Sequence, residues 1–421
     1  MLHINKIREN KESYIALLKI KNIDATDLIA NAIAKDDERK ATQQKADELL
    51  AKGNQLAKQI GEFYKTGRAA EANVLKEESS LIKENSKALQ TKQSELEKEI
   101  QDILVQIPNI PHPTVPAGKS DADNVTLKEV GTIPTLMEGA KPHWELTTDY
   151  SLIDFELGNK ITGAGFPVYT NRGAKLQRAL IAYFLDKNTA AGYTEYLPPL
   201  LVNEASGFGT GQLPDKEGQM YHATEDNLYL IPTAEVPVTN FFRDVIVKEF
   251  PIKCTAYTPC FRREAGSYGK EVRGLNRLHQ FDKVEIVQIQ HPEKSYETLD
   301  VMVKHVASIL DELELPYKIS QLCGGDLSFT SALTFDFEVY SAGQERWLEV
   351  SSVSNFESYQ ANRLKLRYKD ENGKTQLCHT LNGSALALPR IYAALIENNQ
   401  TAEGIKIPKA LQPYTGFDII K

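Results

Sequence analysis

No proline interrupts the chain before Pro108, and glycine ahead of it is confined to Gly53, Gly61 and Gly67. Proline inside a helix removes a backbone donor and clashes with the preceding turn, so its absence permits unusually long helices. From Leu28 onward, Leu28, Ala32, Lys35, Arg39, Thr42, Ala46, Leu49, Gly53, Leu56, Ile60 and Phe63 recur in four-three spacing. Leu75, Ile82, Leu89, Leu96 and Ile103 recur at every seventh position. Between the two series lies "YKTGRAAE", with Gly67 at the turn. Two heptad helices and a short connection predict an antiparallel coiled-coil hairpin over about 27–104, each helix spanning roughly 55 Å. A spacer or dimerisation coiled coil is the plain alternative. A hairpin that satisfies its own seam, however, projects as an arm with a free outer face.

The segment "PNIPHPTVPAGKS" at 108–120 reads as a stiff boundary. It divides the chain into an N-terminal domain, 1–110, and a second domain, 111–421. Beyond it come both tryptophans, Trp144 and Trp347, and β-branched runs such as "VEIVQI" and "LTFDFEVY". Helical patterns persist in "AKLQRALIAYFLDKNTA" and "YETLDVMVKHVASILDEL". Strands linked by hairpins and interleaved with helices predict an α+β fold, an antiparallel sheet flanked by helices.

Composition narrows the class of protein. Hydrophobic residues make up 41% of the 421 and charged residues 25%, as in ordinary globular chains. No apolar run approaches membrane-spanning length, which argues for a cytoplasmic protein without a membrane partner. Cys254, Cys260, Cys323 and Cys378 show no paired spacing that would suit zinc or a disulfide scaffold. The formal charge of -8 excludes a protein that coats nucleic acid through its global field, so any such role needs local patches or shape.

The stretch "FRREAGSYGKEVRGLNRLHQFDKVEIVQIQ", 261–290, reads as two strands and a glycine-bearing loop. It carries Arg262, Arg263, Glu264, Lys270, Glu271, Arg273 and Arg277, far more charge than a hairpin tip requires. Period-two alternation places Arg262 and Glu264 on one face, and Phe281, Lys283 and Glu285 on one face of the returning strand. Three further clusters are "GYTEYLPPLLVNEASGFGTGQLP", "LIPTAEVPVTN", and "RWLEVSSVSNFESYQ" with "HTLNGSALALPRIYAALI". Taken singly, each has an ordinary structural explanation as a turn, a cap or a strand end.

Together and in this order they resemble the class II aminoacyl-tRNA synthetases, and within them the bacterial-type seryl-tRNA synthetases. The first class motif is matched through Pro198 and Pro199, the second by the FRxE hairpin, and the third by "LNGSALALPR". The resemblance covers essentially the whole chain, arm included. It implies a ligase that joins L-serine to ATP as seryl-adenylate and then transfers serine to tRNA(Ser), with tRNA(Sec) as a further candidate substrate. It also implies Mg2+ carried with ATP, and a homodimer in which one subunit's arm serves the other's site.

By the same resemblance Arg262, Glu349 and Arg390 are the catalytic group. ATP contacts fall on Arg262, Arg263, Glu264, Leu278 (through its backbone), Phe281, Glu349, Val350, Ser351, Ser352 and Arg390, with Glu349 and Ser352 supplying oxygen toward the metal. Serine contacts fall on Thr233, Ala234, Glu235, Arg262, Glu285, Thr380, Asn382 and Ser384. The chain departs from the pattern at Ser328, Leu333, Val353 and Asn362. A non-enzymatic RNA-binding relative would have lost the α-phosphate arginine or the metal-binding acid, and both positions are filled. A ligase that loads carrier proteins would lack the arm and bring a zinc-ligand cluster.

Overall fold

The heptad stretches are continuous helices. In the computed structural model, which describes residues 1–215, 217–264 and 272–421, two short helices, Ile4–Glu9 (α1) and Lys11–Leu18 (α2), precede two long ones. These are Thr26–Lys65 (α3) and Ala69–Leu104 (α4), joined through Gly67 in the left-handed region at φ 77°. The chain divides into two units, Met1–Lys19 with Ile23–Pro108, and Ile20–Asn22 with Asn109–Lys421.

In the first unit Ile29, Ala32, Ala46 and Leu56 of α3 are buried with Ala72, Ile82, Leu96, Ile100 and Ile103 of α4. The middle of the first heptad series, Lys35, Arg39 and Thr42, is polar; Thr42 is buried there, and so is Asp36, which lies outside the series. Asp36 is 1% exposed and accepts from Arg39 at 2.8 Å, Lys40 at 3.0 Å and Arg8 of α1 at 2.9 Å. Lys35 and Arg39 stand only half-buried beside it. Ion pairs across the hairpin, Lys35–Glu99 at 2.6 Å, Lys92–Glu38 at 2.8 Å and Lys52–Glu78 at 2.8 Å, lie on its flanks. The outer faces present exposed Lys45, Lys58, Lys65, Lys83 and Lys87.

The second unit is built on one eight-stranded sheet. Its strands are Val125–Val130 (β1), Thr194–Tyr196 (β2), Ile252–Phe261 (β3), Gln280–Gln290 (β4), Tyr317–Gln321 (β5), Leu333–Ser341 (β6), Arg346–Asn355 (β7) and His379–Ala387 (β8). The spatial order is β1-β5-β6-β7-β8-β4-β3-β2, antiparallel throughout except for β2 beside β3. Helices Asn171–Ala190 (α5), Ser295–Glu312 (α6) and Leu388–Asn398 (α7) bury Leu176, Leu180, Phe184, Met302, Val306, Ile391 and Leu395 in one core with Val284, Ile286, Phe337 and Leu381 of the sheet. Burying each such side chain contributes about 1.5–3 kcal/mol. Two of the departures from the family pattern belong to this packing. Leu333 lies in the core, and Val353 presses on Gly383, where an added Cβ would stand 3.0 Å from the valine Cγ2.

Candidate active site

The face of the sheet opposite the helices carries the polar side chains. On β4, Val284 and Ile286 enter the core, so period-two alternation turns Lys283 and Glu285 the other way, while Phe281, half-buried near the strand's start, also packs against the core. Lys283 Nζ lies 2.8 Å from Glu285 Oε2, which confirms that the two share a face. Register brings Ser384 of β8 opposite Glu285, and Asn382 opposite Val287. The hairpin differs from expectation at its tip. β3 ends at Phe261, so Arg262 and Glu264 are not strand residues, and Glu264 takes a left-handed φ of 48°. Arg262 extends the ladder by one bond, from its N–H to the His279 carbonyl at 2.9 Å, before the chain turns away. Lys270 and Glu271 lie outside the described residues.

Arg262, Glu349 and Arg390 converge. The Arg262 guanidinium stands 5.3 Å from the centre of the Phe281 ring. Arg390 enters from the first turn of α7, donating to the Glu349 carbonyl at 2.7 Å and the Asn276 carbonyl at 3.2 Å, with the Glu349 carboxylate 3.7 Å away. Removal from water lowers the Arg390 pKa; Glu349 opposes this, and the positive charges of Arg277 and Arg262 add to it. Arg390 thus lies within the field of two further guanidinium groups, Arg277 and Arg262. Glu264 is held to Arg277 at 2.9 Å, and Arg263 is exposed. Leu278 buries its side chain in the core, leaving only its backbone toward the site.

A bulge sets the "EVSS" run. The β6–β7 register shifts between Phe337 and Glu338, so Phe337 faces Ser351 while Glu338 faces Glu349. Glu349 and Ser352, three apart, would lie on opposite faces of a regular strand; here the Ser352 hydroxyl is 3.5 Å from the Glu349 carboxylate. Val350 enters the core, and Ser351 spends its hydroxyl on the Ser384 carbonyl at 2.6 Å. Ser352 donates to Asp336 at 2.6 Å, a residue that sequence reasoning passed over. Burial and the charge of Glu349 push the Asp336 carboxyl well above its ordinary range.

The second pocket gathers two carboxylates around one lysine. Glu285 accepts from Lys283 and from the Thr233 hydroxyl at 3.2 Å, and Thr233 in turn accepts the Glu235 backbone N–H at 3.2 Å. Glu235, 9% exposed, has its carboxyl pushed up to about 7, first by burial and then by the charge of Glu285. Gln360, Lys283 and Asn382 pull the other way. Asn382 is 7% exposed, and its amide lies near enough to Glu235 to favour the ionised carboxylate without forming a well-aligned hydrogen bond to it. Ala234, Thr380 and Ser384 are buried around this group. Lys283 and Gln360 were absent from the expected contacts. The lysine was visible as a charge inside an apolar strand, whereas nothing in "SYQAN" marks the glutamine.

The comparisons with known proteins agree with this geometry. Residues 1–111 match the model described as seryl-tRNA synthetase N-terminal domain. Residues 219–399 match the tRNA synthetase class II core domain (G, H, P, S and T). A serine–tRNA ligase from Salinibacter ruber is 47% identical over 421 residues, covering 99% of this chain and 98% of the relative. The chain belongs to the serine–tRNA ligase family. It is thus an aminoacyl-tRNA ligase, and its fold is that of solved seryl-tRNA synthetases. One from Pyrococcus horikoshii, complexed with ATP, superposes with a TM-score of 0.92 at 32% identity, covering 100% of this chain and 99% of that one. A cytoplasmic serine–tRNA ligase from Naegleria fowleri, in complex with AMP, gives 0.87 at 27% identity, with the same coverage.

Proposed function

We propose that this chain activates L-serine with ATP in the two adjoining pockets and transfers the seryl group to tRNA(Ser). The observation that carries the reading is the charge deficit at Glu235 and Glu285. Two buried carboxylates stand with one lysine, which pairs with Glu285, and burial followed by the charge of Glu285 raises the Glu235 carboxyl, an environment that favours a cationic ligand. The serine ammonium supplies that charge. The Asn382 amide, only loosely held beside Glu235, supplies a donor for the small hydroxyl, and Thr233, Ala234, Thr380 and Ser384 close the space around it. A pocket that hydrogen-bonds a hydroxyl rejects alanine, whose entry would leave those polar groups unpaired.

In the neighbouring pocket Arg262 offers a planar fork of donors to the α-phosphate and the serine carboxylate, two anions that must meet in line. Phe281 gives the adenine a plate, with the Leu278 backbone at its edge and Arg263, Glu264, Val350 and Ser351 around the nucleotide. Arg390 holds the outer phosphates. Glu349 and Ser352, with Asp336 beside them, offer only oxygen, the donor set a hard cation such as Mg2+ prefers. Among the described residues no group of three or more His, Cys, Asp or Glu could hold a metal. Mg2+ would therefore arrive with the triphosphate, shielding its charge. Catalysis here is positioning and neutralisation, and Cys254, Cys260, Cys323 and Cys378 are buried thiols with no part in it.

We assign domain 1–110, with its arm at about 27–104, to tRNA, read by shape and backbone, and domain 111–421 to catalysis. The edge strand β2, exposed at all three residues and followed by Leu197 at 85% exposure, with its Tyr196 ring tilted against Phe241 at 5.2 Å, supports a homodimer across this edge. No described helix is long and apolar enough to cross a membrane. A tRNA substrate supports a cytoplasmic protein. Serine-dependent exchange of pyrophosphate into ATP tests the central reading, and no exchange with purified protein and magnesium overturns it. Aminoacylation assays with tRNA(Ser) and tRNA(Sec) transcripts then define the acceptor.

A further inference from the structure

Gln360 lies in the short helix Tyr359–Leu364, 1% exposed, between two groups of the amino-acid pocket. Its Nε2 stands 2.6 Å from Glu235 Oε1 and 3.1 Å from the Thr210 carbonyl oxygen. Its Oε1 stands 2.7 Å from the Thr380 hydroxyl. The two ends of a primary amide are not interchangeable: the nitrogen only donates and the oxygen only accepts. A flipped amide would set an oxygen against a carbonyl and a carboxylate, so the orientation is fixed. Thr380 must then give its one hydroxyl proton to Gln360 and keep its lone pairs for other neighbours. Glu235 meanwhile has one oxygen tied to a buried donor, with the other left for a ligand.

We propose that Gln360 is a positioning residue for the amino-acid substrate, clamping the Glu235 carboxylate and turning the Thr380 hydroxyl into an acceptor. Resting on the serine reading above, it explains why the pocket suits a ligand rich in donors. Glu235 and Thr380 accept, while Lys283 and Asn382 offer donors, so a group that both gives and takes a hydrogen bond is matched. An aliphatic side chain is not. The amide does this from behind the pocket, through residues that themselves face the substrate.

The test is Gln360→Met in the full-length protein, which keeps the length of the side chain and removes both ends of the amide. In pyrophosphate exchange, KM for serine should rise by about tenfold or more, the size of a lost hydrogen bond to a charged group, while KM for ATP stays within about twofold. The pH midpoint of KM for serine should move upward, because a donor that favours ionised Glu235 is gone. Thr380→Val should raise KM for serine on its own and cost less when added to Gln360→Met. An unchanged KM and pH midpoint in a folded Gln360→Met protein overturns the proposal, as does a parallel rise in both KM values. Should Gln360→Met fail to fold, Thr380→Val decides alone, and an unchanged KM for serine in that variant overturns it. Absence of exchange in the unmodified protein would instead defeat the underlying reading of function.

Discussion

At the scale of single residues, Glu235 makes the sharpest prediction. Its carboxyl, ordinarily near the usual carboxylate range, is raised to about 7 in the unliganded pocket, so below that pH it is neutral. An arriving ammonium prefers the ionised form, and binding must then release the proton. KM for serine should therefore be roughly tenfold higher at pH 6 than at pH 8, with KM for ATP nearly flat, as one titrating group dictates. Initial-rate exchange assays across that range check it, and Glu235→Gln should abolish the slope. Arg262→Ala should lower kcat for exchange by about 10²–10³-fold, the usual loss when a preorganised donor to developing charge is removed. Most such residues were legible because their motifs are contiguous: Thr233 to Glu235, Arg262 to Glu264, Glu349 to Ser352. Asp336 and Gln360 were not. Each acts through a partner distant along the chain, Asp336 on Ser352 and Gln360 on Glu235 and Thr380, and only pairing of strands or packing of a helix reveals that.

At the scale of elements, seven-residue spacing located the two long helices closely, because a seam repeated over so many turns has no other reading. It placed buried Thr42 in the polar layer but missed the buried charge. Lys35 and Arg39 hold seam positions, but Asp36 is the residue taken from water, since Arg8 of α1 comes over it and heptads say nothing of a third helix. Burial alone would raise the Asp36 pKa, yet Arg39, Lys40 and Arg8 bring it down to about 2. A carboxyl depressed in the folded state stabilises it above the unfolded value and loses that contribution as pH falls through the folded one. Asp36→Ala should thus weaken the arm by about 2 kcal/mol at pH 7, while the unmodified arm loses the same amount between about pH 4 and pH 2. Denaturant titration followed by the helical circular dichroism signal checks both. The hairpin of β3 and β4 was likewise foreseen as a pair, and its tip was misread because charge-rich loops imitate alternating strands.

At the scale of the whole molecule, the proposed dimer with arms serving opposite sites can be tested by mixing. A subunit lacking residues 30–102 keeps its pockets, and an Arg262→Ala subunit keeps its arm. Neither alone should charge tRNA, whereas co-refolded mixtures should recover charging, read as acid-precipitable seryl-tRNA. Silent mixtures would mean that each arm serves its own site. Charging should also fall with added salt far more steeply than exchange does, since only charging depends on phosphate contacts. Nothing in the overall charge of -8 foretells this, because the lysines of the arm are interspersed with at least as many acids and act only as local patches. The bulge in β7 also constrains how the gene can vary. One residue gained or lost between Glu349 and Ser352 would turn one of these two polar side chains into the core and Val350 out of it, whereas the exposed turn at Asp370–Lys374 can absorb either change. Length polymorphism in this lineage should accordingly collect at such turns and spare that tetrapeptide.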